Sequence, residues 1–358
     1  MSNVLHGGHR AVRHLTGAAA IMLALASCGG DSGEGEDSAG GAAPSEEAVA
    51  ESYYAGENID FVVPYEPGGG YDVYARALAP YMGECLDATV VVLNEPGAGG
   101  LLATNKTFAA SPDDRRLQVV NTVGAVSSQI AGAEGVSFDM TEFSSIGRIA
   151  ATASAVAVAA DSDVQDFQAL IDANEPIRFP SVGPGANDFT TPNILAAIYG
   201  FPVEMITGFQ GSGEARLALI SGDGDAYAQS WDSMLGDIES GEVRALVVAS
   251  TESVEELPDV PTLADFEPAD EKGVAIREGL AALEATGRGV VAPPGLPEDR
   301  LTELRDAFTC AFENQELLDQ LEQGERPVSL LSGEEWQGVM EDAINSSEEF
   351  QTLLTEFF

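Results

Sequence analysis

Val62-Val63-Pro64-Tyr65-Glu66-Pro67-Gly68-Gly69-Gly70-Tyr71-Asp72 runs from a β-rich segment, through a Pro- and Gly-rich turn, into the start of a helical pattern. Upstream, Ile59 to Val63 has the β-branched and aromatic content of a buried strand. Downstream, Tyr74, Leu78, Tyr81 and Met82 fall at helical spacing. The unit then repeats. Thr89 to Leu93 is a second strand, stopped by Asn94-Glu95-Pro96-Gly97-Ala98-Gly99-Gly100, and a helix is expected from Leu101 to Ala110. Leu117 to Val120 makes a third strand. Further strands are expected at 156–159, 177–180, 203–206, 226–228, 245–249 and 289–292, with helices at 163–173, 191–199, 213–221 and 297–312. This alternation predicts an α/β protein with mostly parallel, buried sheets. The length of 358 residues suits about two domains.

Ligands of open α/β sheets sit beyond the carboxyl ends of the strands. Four such ends carry glycine-rich turns here, at 67–70, 97–100, 183–185 and 211–213. Glycine lets the backbone come close to a ligand, and the helix that follows turns unpaired N–H groups toward it. Such a site holds an anion without Lys or Arg. Taken singly, each turn also reads as an ordinary strand–helix connection.

The charge balance favours that kind of site. Sixteen Lys+Arg face 59 Asp+Glu, a formal net charge of −43. Phosphate contacts and anionic membrane surfaces both call for basic patches, so nucleic acid is excluded as a partner. The excess acid reads as a solvated surface suited to a salty medium. All three histidines (His6, His9, His14) lie in the first fourteen residues, within a segment expected to be removed. The remaining chain has no imidazole for a Ser-His-Asp or Cys-His site or for a His-ligated metal. No metal and no cofactor is expected.

Residues 1–27 read as a lipoprotein signal peptide. Arg10 and Arg13 precede a short apolar run, Leu15 to Ala26, and Leu25-Ala26-Ser27-Cys28 is similar to a bacterial lipobox. Cys28 would carry the lipid and tether the protein to the membrane from outside the cytoplasm. An ordinary leader with a chance cysteine is the alternative. Residues 28–57 then form an acidic linker, rich in Gly, Ser and Ala up to Ser52 and too polar there to order itself. Cys85 and Cys310 remain, either as a disulfide or as two buried thiols.

Competing motifs fail on particular residues. Gly97-Ala98-Gly99-Gly100-Leu101-Leu102 lacks the third glycine of a dinucleotide fingerprint. In residues 100–107, Asn105 replaces the glycine that a phosphate loop requires. No Gly-x-Ser-x-Gly elbow surrounds Ser181 or Ser212.

The loop at 62–72 with Arg76, followed by Asn94 to Gly100, resembles the two hallmark motifs of tripartite tricarboxylate transporter substrate-binding proteins, the Bug-type receptors. Weaker matches follow in order at 111–113, 181–185, 208–212, 257–262 and 291–295. The resemblance covers about residues 58–350. It implies a two-domain, type II periplasmic-binding-protein-like fold with a hinge and an interdomain ligand cleft. Domain 1 would comprise 58–153 plus 272–358, and domain 2 would comprise 154–271.

The resemblance also implies a small organic carboxylate enclosed between the domains. In the first domain the ligand-binding candidates are Tyr65, Gly69, Gly70, Tyr71, Asp72, Ala98, Gly99, Gly100, Thr122 and Ser127. The second domain would offer Ser181, Gly185, Asn187, Gln210, Gly211 and Gln229. Tyr71 stands where Thr or Ser is common, which implies a narrower pocket or one that stacks an aromatic ligand. Gln229 stands near a common Asp, which makes an amino-acid ligand less expected. The stretch 267–288 fits the family poorly.

The expected function is therefore a lipid-anchored, monomeric receptor. It would bind a di- or tricarboxylate and deliver it to the large and small subunits of a membrane permease, with no enzymatic reaction. A binding protein feeding a membrane sensor is the alternative from a second class. A His-independent hydrolase using carboxylates or Ser181 is the alternative from a third.

Overall fold

A computed structural model describes residues 52–357. The expected leader, Cys28 and most of the acidic linker lie outside the described residues.

The chain opens as its sequence dictates: β1 (Asn58–Val63), α1 (Gly70–Leu86), β2 (Thr89–Asn94), α2 (Leu101–Phe108), β3 (Arg116–Asn121), α3 (Thr122–Ala131) and β4 (Ser144–Ala150). It then crosses to a second group, β5 (Ser154–Ala159), α4 (Phe167–Ile171), β6 (Ile177–Ser181), α5 (Asn187–Tyr199), β7 (Val203–Thr207), α6 (Ser212–Ile220), β8 (Tyr227–Ser230), α7 (Leu235–Ser240) and β9 (Val243–Val248). Helix α8 (Glu271–Thr286) leads back to β10 (Arg288–Ala292), α9 (Glu298–Glu313), α10 (Gln315–Gln323), β11 (Leu331–Ser332), α11 (Gly333–Ile344) and α12 (Glu348–Phe357).

The larger sheet has the order β11-β4-β10-β3-β1-β2 and belongs to what we call the first lobe. Strands β8-β5-β9 and β6-β7 form the sheets of the second lobe. The expectation of mostly parallel sheets is corrected here. Only β2-β1-β3 and β6-β7 pair in parallel, and the remaining pairs are antiparallel. The reason is the crossing. Strand β4 leaves the first lobe at Ala150, and β10 re-enters it at Arg288, directly opposite Ala150 in the register. On its return from the other lobe β10 runs against both β4 and β3.

Three apolar cores follow from this layout. One lies on the α1/α9 face of the larger sheet, with Phe61, Leu78, Met82 and Phe308. Another lies under the outer face of β5 and β8, with Tyr227 and Trp231. The third is continuous across both lobes and joins Val120, Phe143, Phe179, Ile194, Leu280 and Trp336. Helix α8, whose Ile276, Leu280 and Leu283 enter this shared core, packs against α5 of the second lobe and against α11 and α12. A disulfide joins Cys85 on α1 to Cys310 on α9. Closing so long a loop restricts the unfolded chain and contributes about 2–5 kcal/mol.

Candidate functional site

The carboxyl ends of β1 and β6 and the turn before α6 face one another across the lobes. Each leads into a helix: α1 begins at Gly70, α5 at Asn187 and α6 at Ser212. All three starting residues line one inner chamber, together with Tyr65, Gly69, Tyr71, Val182, Ala186, Asp188 and Gln229. Three helix N-termini thus converge on a space with no Lys or Arg in its lining. The unpaired first-turn N–H groups and the aligned peptide dipoles make that space favourable to negative charge.

The chamber is shut in this conformation. Its volume is about 20 Å³, close to what one water occupies. A wider polar cleft of about 290 Å³ continues from it, sharing Gly69, Gly70, Ser212 and Gln229 and adding Arg216, Ser233 and Arg326. Larger hollows on the outer surface, such as a groove along α1 and β2, include none of the four glycine-rich turns.

The aromatic wall is held from behind. Tyr65 donates its hydroxyl to Gly99 O (3.1 Å) and accepts from Asn121 Nδ2 (2.8 Å). Its ring leans on Tyr71, with centroids 5.2 Å apart. Burial pushes both phenols well above their ordinary range, so both stay protonated donors. The Arg288 guanidinium stacks on Tyr71 and on Tyr74 at 4.9 and 4.8 Å. It also forks onto the buried Asp232 of the second lobe, with Nη2 donating to Oδ1 at 3.0 Å and Nη1 to Oδ2 at 3.2 Å. Thr152 bridges the same pair, and Arg326 adds contacts to Asp232 from the first lobe. Burial works against the Arg288 charge, but the Asp232 carboxylate and the two tyrosines outweigh it and raise its pKa.

The second lobe contributes polar side chains. Asp188 is buried at the mouth of α5, accepting from Ser181 Oγ (2.8 Å) and from the Val182 N–H. Burial raises its pKa to about 7, against the lowering effect of those hydrogen bonds. Asn187 donates to Ser154 and Ser230, and Gln229 accepts from the Tyr227 hydroxyl.

The structure sorts the residues singled out in the sequence into three groups. Tyr65, Gly69, Gly70, Tyr71, Asn187 and Gln229 line the chamber. A second group supports it. Asp72 accepts from Gly68 N, Arg76 Nε and Asn94 Nδ2, and burial's upward push on its carboxyl is overcome by those donors. Ser181 holds Asp188, and Ser127 bonds Gly124 O and Thr190 across the lobes. Thr122 is buried beside the chamber's Asn121 support, at the start of α3. A third group makes the lobe contact. Ala98 and Gly99 meet the turn of Pro184 and Gly185, and Gly211 abuts Glu66, while Gly100 packs within its own lobe on Pro64 and Tyr65. Gln210 is exposed and is not among the lining residues. Val182, Ala186 and Asp188 line the chamber without having been singled out, and Ser212, from the glycine-rich turn at 211–213, lines it too.

Two glycines explain why the lobes meet so closely. A Cβ on Gly99 would overlap the Pro184 carbonyl oxygen, and one on Gly124 would overlap the Gly185 carbonyl oxygen. Among the described residues no cluster of three or more His, Cys, Asp or Glu is arranged for a metal, and no helix is long and apolar enough to cross a membrane.

Comparison with known proteins agrees with this geometry. Residues 74–351 match the family model described as the tripartite tricarboxylate transporter family receptor, TctC. The chain belongs to this family. A protein of Pseudomonas sp. (strain P51), from the tcbD-tcbE intergenic region, is 29% identical to the receptor over 271 residues, covering 74% of this chain and 76% of its own. Among solved structures, the periplasmic binding protein BugD superposes with a TM-score of 0.71 at 22% identity, over 85% of this chain and 98% of its own. MatC from Rhodopseudomonas palustris, solved with bound malate, gives 0.68 at 21% identity, over 84% and 98%. The receptor therefore has the type II periplasmic-binding-protein fold, with two lobes, a hinge and a ligand cleft between them.

Proposed function

We propose that the protein is an extracytoplasmic solute receptor that captures a small organic di- or tricarboxylate between its lobes. It then presents the closed complex to a membrane permease of one large and one small subunit. The observation that carries this reading is the convergence of the α1, α5 and α6 N-termini on one chamber, through Gly70, Asn187 and Ser212. Such a site binds carboxylate through N–H groups, which a strongly acidic chain needs. The malate bound by MatC supports the ligand class.

Capture requires opening, because a chamber of about 20 Å³ admits no dicarboxylate. The crossings at 151–153 and just before α8 are the natural hinge, with the shared core as the pivot side and the glycine turns as the moving lips. In this reading the first domain comprises 58–153 plus 272–358, the second 154–271. Lipid on Cys28 keeps the receptor, as a monomer, at the membrane where the permease lies.

Thermal unfolding of the full-length protein against organic acids, amino acids, sugars and nucleotides tests the reading. A ligand at ~100 times its dissociation constant adds about 2.7 kcal/mol. Stabilisation by di- or tricarboxylates is expected. Stabilisation by sugars or nucleotides alone would overturn the reading.

A further inference from the structure

The chamber that collects three helix N-termini also contains an acid. Asp188 lines it, and no Lys or Arg does. The guanidinium nearest the wall, Arg288, is stacked on Tyr71 and paired with Asp232. Asp188 accepts from the Ser181 hydroxyl and the Val182 N–H, and the phenols of Tyr65 and Tyr71 share the chamber wall with it. All of these are neutral, and the other buried acid on the elements packed here is Glu284 of α8, bonded to Thr191 farther along α5. A second carboxylate placed against Asp188 would meet a like charge with no Lys or Arg in the lining to offset it. A hydroxyl, an ammonium or a protonated carboxyl would instead supply a hydrogen-bond donor to an oxygen that already lies in the wall.

We infer that Asp188 determines which organic acids the receptor accepts, favouring an acid that turns a hydrogen-bond donor toward it over one that turns an ionised carboxylate toward it. This rests on the carboxylate-receptor reading and narrows it to acids substituted beside the carboxylate, hydroxy acids foremost. The residue sits on the opposite lip from Tyr71, so it inspects the ligand as the lobes close. The acid comes from the first turn of α5. Burial that raises Asp188 to about 7 acts in the same direction, because a plain diacid can bind once Asp188 takes up a proton.

The test compares malate, aspartate and succinate, which share a four-carbon diacid frame and differ in one donor. Calorimetry on the full-length protein at pH 8 should give malate or aspartate at least about tenfold tighter binding than succinate. Succinate should tighten markedly between pH 8 and pH 6, and the donor-bearing acid less so. In Asp188→Asn, one side-chain oxygen still accepts from Ser181 and Val182, while the amide can donate to the ligand. Succinate should then bind within about threefold of malate, independent of pH over that range.

Equal binding of malate, aspartate and succinate by the wild-type protein would overturn the inference and leave the receptor reading standing. So would a preference unchanged in Asp188→Asn. Should that variant unfold, the wild-type pH series decides alone, and a succinate affinity flat from pH 6 to 8 rejects the inference. Failure of all carboxylates to bind would reject both readings.

Discussion

The lobes meet at two junctions made of opposite materials. Near the hinge the contact is polar and buried: Arg288 and Arg326 of the first lobe hold Asp232 of the second, with Thr152 between them. Beside it, Glu284 on α8 accepts from the Ser154 N–H and from Thr191. At the lips backbone meets backbone, Gly99 against Pro184 and Gly124 against Gly185, with the Leu101 side chain on Gly185 and one Ser127–Thr190 hydrogen bond beside them. A buried ion pair fixes geometry because misplacing either partner strands a charge. Two peptide surfaces in contact hold little energy and part easily. A hinge needs the first kind of junction and a closing lip needs the second, so mutations should separate stability from binding along this division.

The largest effect is expected at Arg288. Arg288→Met leaves Asp232 buried and largely uncompensated and should cost about 3–5 kcal/mol in denaturant unfolding. Adding Asp232→Leu removes the stranded charge and should restore most of that loss. A double variant as unstable as the single one would mean that the stacking on Tyr71 and Tyr74, and not the charge pair, holds the junction.

Glu284 should reveal itself through pH. Its pKa is raised to about 7 by burial, against the hydrogen bonds from Ser154 and Thr191. Below about pH 4.5 the group is protonated whether folded or unfolded and carries no pH-linked cost. As pH rises toward 7 the unfolded chain loses the proton first, so stability falls, and above 7 the loss is complete. Glu284→Gln can accept from Ser154 N–H and donate to Thr191 Oγ1. It should therefore gain about 2–3 kcal/mol over wild type at pH 8 and nothing near pH 4. Parallel stability curves for the two proteins between pH 4 and 8 would remove Glu284 from the hinge's energetics.

The two junctions also differ in how legible they were in the sequence. The lips are local features. Apart from Gly124, which lies inside the first turn of α3, each is a strand end followed by glycines, so the turns at 67–70, 97–100, 183–185 and 211–213 stood out, and most strands before them were found within a residue or two. The hinge is not local, since Arg288 and Asp232 are 56 positions apart and nothing in either neighbourhood pairs them. Strand β4 was missed because Gly147 and Arg148 break its apolar pattern. The structure shows why glycine is there, as a Cβ would press into the Phe308 ring and the Leu331 carbonyl. Helix α8 was missed because its sequence spreads Glu, Gly and Ala around an otherwise modest apolar face. Asp188 escaped notice for a plainer reason. An acid in the first turn of a helix is the commonest way to complement the dipole, so only the fold shows that this one lines a ligand chamber.

The smallest effect on stability, and the sharpest on function, belongs to Gly124. It lies in the first turn of α3 with helical neighbours, and its backbone needs no conformation that alanine would resist. Gly124→Ala therefore leaves the open form unstrained and adds helix propensity worth up to about 1 kcal/mol. In the closed form the new methyl would overlap the Gly185 carbonyl oxygen, a backbone atom with no rotamer to yield. The variant should keep or raise its ligand-free thermal midpoint while binding its carboxylate about tenfold more weakly. Small-angle scattering with ligand should show a larger radius than wild type. Gly338→Ala, on α11 with open space around it, is the matched control and should change neither affinity nor radius. If Gly124→Ala bound as tightly as that control, the glycine contact would not be the closing surface, and the lips would have to be sought elsewhere on the cleft.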